Sequence, residues 1–206
     1  MKSYTHYLGL FFFFGFSVSM MAQKSQWEKV YLFTNDSLIN KRRFEEAYTP
    51  CDENLKLAEK EFGKKHPNYA KSTLQLWTIL YRINKLKEGI SLLTDYLPIL
   101  QKSRLKDSIY HGQTLNYLGL THKKNNAKET AESFFLQAKE QCKKDFTLEY
   151  ANALNNLGSL YYDIGRTDEA IEHLTKALSF ASKETPSYFN RLANLGMVYQ
   201  SKGRFK

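Results

Sequence analysis

Residues able to do covalent chemistry are few in this chain and poorly placed for it. Ser103 and Lys106, within "SRLK", have the spacing at which some acylating enzymes pair a hydroxyl with an amine, but the companion motifs of that chemistry are missing. No "GxxxxGK", "GxSxG" or "HExxH" occurs, so phosphate-cradling loops, nucleophile elbows and zinc-hydrolase helices are not written here. His66, His111, His122 and His173 are too scattered for ligand spacing and read as capping or surface residues rather than metal ligands. We therefore expect a non-enzymatic chain with no catalytic residue, cofactor or metal.

The elements that carry these residues are helices. With 206 residues, 42% of them hydrophobic, and only 10 Gly and 4 Pro to interrupt them, the chain can bury a substantial core and is expected to be all-α. Its first stretch, "MKSYTHYLGLFFFFGFSVSMMAQ", has one early lysine, an uncharged apolar run from Tyr7 to Met21 and then small Ala22. That pattern is expected to be a cleaved secretory signal peptide, residues 1–22, cut near Ala22 or alternatively after Ser19, and the protein is expected to be exported, periplasmic or secreted. Removing it takes Lys2 and no acid, so the formal charge falls from +9 to +8. The remaining cations are scattered, as in "KRR" at 41–43 and "RINKLK" at 82–87, which suits solvated helix faces and argues against nucleic acid as a partner.

An internal repeat organises the remainder. Leu157, Gly158, Tyr161 and Gly165 recur as Leu195, Gly196, Tyr199 and Gly203, and Leu118 and Gly119 precede them in the same register. Leu76 and Trp77 stand for the same pair one unit earlier, and a weaker copy is visible mainly as "RRFEEAYTPCDENLKLAEKEFGKKHP". Small residues at fixed helical offsets with such a period indicate stacked helical hairpins. Gly119, Gly158 and Gly196 are expected to admit close approach of a second helix carrying Ala131 or Ala170, with Leu115, Leu154 and Leu192 continuing the buried stripe. Gly165 and Gly203, replaced earlier by Asn84 and Asn126, should end each first helix in a left-handed conformation. "HPNYA" and "TPSYF" put Pro at the first helical position behind a capping residue. Cys51 and Cys142 then fall two units apart, too far to pair, and are expected to be free or buried thiols.

The stretch "NNLGSLYYDIGRTDEAIEHLTKAL" resembles the tetratricopeptide repeat, and "LAEKEFGKKHPNYAKSTLQL" is similar to the longer-period repeats of kinesin light chains and of exported bacterial proteins like them. The resemblance implies a right-handed α-solenoid of antiparallel helix hairpins. We divide it into a degenerate N-terminal repeat at 23–65, repeats at 66–105, 106–146 and 147–184, and the first helix of an incomplete repeat at 185–206. Gly89, Tyr96 and Pro98 depart from the family pattern, and "FTNDS" should cap or turn rather than continue a helix.

The resemblance further implies a concave groove lined by the first helices and open to a peptide or protein segment. Its positions here are Lys71, Leu74, Thr78, Tyr81 and Arg82, then Gln113, Asn116, Lys123 and Lys124, then Asn152, Asn155, Asn156, Ser159 and Tyr162, and finally Asn190, Asn194 and Gln200. An asparagine ladder can hold an extended backbone without dictating its sequence, since each carboxamide donates and accepts; equally, it can tie neighbouring first helices together. Recurrent Tyr69, Tyr150 and Tyr188 suit packing between repeats. The last first helix lacks a following partner in the sequence, leaving Leu192, Leu195 and Tyr199 partly covered. Self-association through that end, or a longer protein whose further part carries a caspase-like peptidase or a histidine kinase, would each account for it.

Overall fold

The computed structural model describes residues 25–142 and 146–204. The proposed signal peptide lies outside them. Among the described residues there is no strand, and nine α-helices follow one another as an all-α solenoid. They are α1 (Gln26–Phe33), α2 (Phe44–Phe62), α3 (Pro67–Arg82), α4 (Leu86–Gln101), α5 (Ile109–Lys124), α6 (Lys128–Cys142), α7 (Thr147–Asp163), α8 (Thr167–Ser179) and α9 (Pro186–Arg204). A π-helical turn, Thr34–Ile39, extends α1.

Four hairpin turns share one construction. Arg42, Asn84, Asn126 and Gly165 all have positive φ, at 58°, 63°, 61° and 81°. The next residue in each case sends its amide back to a carbonyl five residues earlier: Arg43 to Leu38, Lys85 to Leu80, Ala127 to His122 and Arg166 to Tyr161, at 2.8–2.9 Å. This left-handed helix ending satisfies carbonyls that would otherwise be left bare, and it reverses the chain so that the next helix packs back on the last. Arg42 occupies the position in the first hairpin, where the sequence offered neither Gly nor Asn. Gly203 does not: α9 runs helically through it to Arg204.

Small residues set the spacing inside a hairpin. A Cβ placed on Gly119 would lie 2.4 Å from the Phe135 ring, and one on Gly158 would lie 2.6 Å from the Leu174 side chain and 3.1 Å from the Ala170 carbonyl. Close packing at these densities leaves no room for a methyl group, so α5 and α6, and α7 and α8, can approach only through glycine. Gly112 does the same for the Cys142 sulfur. Gly196 meets nothing within 4 Å, and Leu192, expected in the buried stripe, is 43% exposed, since no second helix covers that face of α9 among the described residues.

The three departures from the repeat pattern are absorbed. Helix α4 continues through Pro98 to Gln101, Gly89 faces the Trp77 ring, and Tyr96 is buried edge-on to Tyr69 at 5.3 Å. "FTNDS" does not stop α1. Thr34 and Asn35 instead return hydrogen bonds to the Val30 and Tyr31 carbonyls, and the helix widens into the π turn while Trp27 and Leu38 stay buried on either side.

A closed ring of buried bonds holds the first three helices. The Trp27 indole donates to Ser72 Oγ at 2.7 Å, Ser72 donates to Asn54 Oδ1 at 2.6 Å, and Asn54 Nδ2 returns to the Trp27 carbonyl at 2.8 Å. Each polar group is thereby paired inside an apolar surrounding, where a missing partner is costly. The Trp77 indole likewise donates to Thr121 Oγ1 at 2.9 Å, joining α3 to α5 across two repeats.

Candidate functional site

The first helices α3, α5 and α7 stand side by side, and two depressions open on their shared face. One, of about 240 Å³, lies between α1, the π turn, α3 and α5; Lys71, Gln75 and Gln113 line it together with Tyr31, Tyr110 and Tyr117. The other, of about 170 Å³, lies between α5 and α7 over Gln113, Asn116, Tyr117, Glu149, Asn152 and Asn156. Of the seventeen groove positions first singled out, these two depressions gather Lys71, Leu74, Thr78, Gln113, Asn116, Asn152 and Asn156. Tyr81, Arg82, Lys123, Lys124, Asn155, Ser159, Tyr162, Asn190, Asn194 and Gln200 line neither.

The polar residues are joined from helix to helix. Asn156 Nδ2 donates to Asn116 Oδ1 at 3.4 Å, Asn194 Nδ2 to Asn155 Oδ1 at 3.0 Å, and Asn116 Nδ2 to the Glu149 carbonyl at 3.4 Å. Lys123 donates to Ser159 Oγ at 2.6 Å and pairs with Asp163 at 2.8 Å. Lys124 spans α5 to α3, donating to the Tyr81 carbonyl at 2.9 Å and lying over its ring. The asparagines thus do tie first helices together, yet each carboxamide has two donors and an oxygen with two lone pairs, so one such bond leaves capacity over. Arg82 lies over the Phe44 ring, Tyr162 packs against the core, and Asn190 is exposed on α9.

Charge is distributed unevenly along this face. Glu149, 5% exposed, accepts from Gln113 Nε2 at 2.9 Å, and burial together with the Glu149 charge pushes the neighbouring Tyr117 phenol upward. Arg191, 2% exposed, donates to the Ala177 carbonyl at 3.1 Å, near the end of α8, and to Asn152 Oδ1 at 3.0 Å; burial lowers its pKa. A cation against the negative end of a helix is favourable even without a carboxylate partner. Lys71 is exposed, and no ion pair engages it among the described residues.

Sequence reasoning passed over Gln75, Tyr117, Glu149 and Arg191, as well as the residues that α1 contributes. Gln75 and Tyr117 were open to detection, because they hold the repeat position of Asn156 and Asn194 in the two preceding units. Nothing marked Tyr31 in α1 or Asn35 in the π turn. Gln75 is the most unusual: it is 6% exposed, and neither Nε2 nor Oε1 has a partner. An unpaired buried polar group costs about 1–3 kcal/mol.

The other candidate residues have structural surroundings of their own. Burial pushes the thiols of Cys51 and Cys142 up to about 12, so neither is a thiolate nucleophile near neutral pH, and they sit in separate core clusters. His111, expected to cap a helix or lie at the surface, is buried, with Nδ1 2.7 Å from the Lys106 carbonyl. His66 caps α3 by accepting from the Asn68 amide, His122 stacks on Phe134, and His173 bonds the Glu169 carbonyl.

A sequence profile for the tetratricopeptide repeat matches residues 110–183 and 149–206. Residues 110–206 are tetratricopeptide repeats. Solved structures with a similar fold include BtubC (BKLC) from P. vanneervenii, at 23% identity and a TM-score of 0.70, covering 86% of this chain and 73% of that one. A Podosopora anserina protein with nearly identical kinesin light chain TPR-like repeats superposes with a TM-score of 0.66 at 18% identity, covering 87% of this chain and 85% of its own. RapI, in its apo form, aligns over 96% of this chain and 55% of its own, with a TM-score of 0.66 and 13% identity. No curated protein matches the sequence significantly. The tetratricopeptide fold makes this chain a protein-interaction scaffold.

Proposed function

We propose that the face formed by α3, α5 and α7 is a concave groove that captures an extended peptide or protein segment. The observation that supports this most is the run of carboxamides across three helices, Gln75, Gln113, Asn116, Asn152 and Asn156, in two adjoining depressions. Their unused donors and acceptors match the alternating N–H and C=O groups of an extended backbone, and tyrosines between them offer flat apolar contact. No metal-ligating cluster occurs among the described residues, and the reading needs none.

Substituting Asn155 and Asn156 together with Ala should weaken capture of capped peptides about tenfold, measured by fluorescence anisotropy, while circular dichroism stays near wild type. Equal loss of helix and binding would make these asparagines purely structural.

The groove works outside the cytoplasm in this proposal, with residues 1–22 directing export. Mass spectrometry of the chain recovered from the exported fraction should show an N-terminus close to Gln23. A chain retained inside the cell with Met1 intact would refute that part.

A further inference from the structure

We propose that the depression between α5 and α7 is a binding site for a small primary amine in its ammonium form. This site does not depend on the groove reading, since no peptide is involved. Glu149 points to the ligand: it lines the depression, is 5% exposed and has no cation within ion-pair distance among the described residues. Carboxylates this deeply buried are ordinarily paired. The first turn of α7 lends Glu149 the partial positive charge of a helix start, and Gln113 Nε2 donates to Oε1 at 2.9 Å. Oε2, by contrast, takes no hydrogen bond among the described residues and is not sealed from solvent. Arg191 is committed elsewhere, to the Ala177 carbonyl and to Asn152 Oδ1. The bonds already made inside the depression leave acceptors over. Gln113 Nε2 is turned to Glu149, Asn156 Nδ2 to Asn116 Oδ1 and Asn116 Nδ2 to the Glu149 carbonyl, so Gln113 Oε1 and Asn156 Oδ1 stay unbonded in the same lining as the carboxylate. An ammonium group supplies what these atoms lack, three N–H donors and a positive charge, and brings no acceptor of its own. Leu120 and Tyr117, the latter fixed by stacking on Trp77 at 3.8 Å, give an alkyl stem its apolar wall. The volume, about 170 Å³, sets the scale. A cavity of about 150 Å³ takes benzene, so a ligand of about six heavy atoms fits here.

The test titrates the full chain by calorimetry, at fixed ionic strength, with pentylammonium chloride, pentyltrimethylammonium chloride and pentanol. Pentylammonium should saturate a single site. The trimethyl cation keeps the charge but has no N–H to donate, and the alcohol keeps the stem but has no charge, so each should bind about tenfold more weakly or not at all. Glu149→Gln still offers Gln113 an acceptor; it should lower pentylammonium affinity about tenfold while circular dichroism and melting temperature stay near wild type. If that variant folds poorly, amide chemical shifts of the wild-type chain decide: pentylammonium should move the signals of α5 and α7 around Gln113, Asn116, Glu149 and Asn156 and leave those of α1 and α2 in place. Absence of binding, equal binding of the trimethyl cation, an affinity indifferent to Glu149→Gln in a folded variant, or shifts away from α5 and α7 would each overturn the proposal. None of these results touches the groove reading, which stands on capped peptides and on Asn155 with Asn156.

Discussion

Arg42 holds a backbone conformation that its side chain disfavours. A non-glycine residue at φ 58° carries steric strain of roughly 1 kcal/mol, and Asn84 and Asn126 reduce that strain with a short polar side chain while Gly165 avoids it. Arg42→Gly should therefore raise stability by about 0.5–1 kcal/mol, seen as a higher urea midpoint with an unchanged slope. A lowered midpoint would mean that the arginine side chain makes a compensating contact. This residue also shows a limit of reading sequence: Gly and Asn announce left-handed turns because few other residues tolerate them, whereas an arginine forced into one by the packing on both sides leaves no local sign. Gln75 was hidden for a related reason. Its repeat position was visible, but the missing partners for its amide exist only once three helices have been assembled around it.

At the scale of elements, regular hairpins were legible and the irregular first one was not. Gly119 and Gly158, with Phe135, Ala170 and Leu174 opposite, repeat a packing rule that recurs in the amino-acid order itself, so α5 to α8 follow from spacing. Just beyond α1, Thr34 and Asn35 carry side chains that compete with backbone bonds and argue for a break. Tertiary packing decides otherwise: Trp27 is fixed by the ring through Ser72 and Asn54, Leu38 is buried beyond the turn, and the chain between them bridges the two by widening into a π turn. That choice shapes the surface, because Tyr31 of α1 and Asn35 and Ile39 of the π turn line one side of the larger depression.

At the scale of the molecule, the repeats give two different surfaces. Second helices α4, α6 and α8 fill the spaces behind the glycine contacts, while first helices share a polar face whose asparagines link neighbours and have hydrogen-bonding capacity left over. On α9, Phe189 is 60% exposed and Met197 50% exposed, so the apolar stripe continues past the last covered hairpin of the described chain. The groove claim separates the two surfaces in one measurement: amide hydrogen exchange of the whole chain with and without a capped nonapeptide selected for binding. Peptide should slow exchange in α3, α5 and α7 and leave α4, α6 and α8 unchanged. Slowing confined to the second helices, or no change under saturating peptide, would contradict the account.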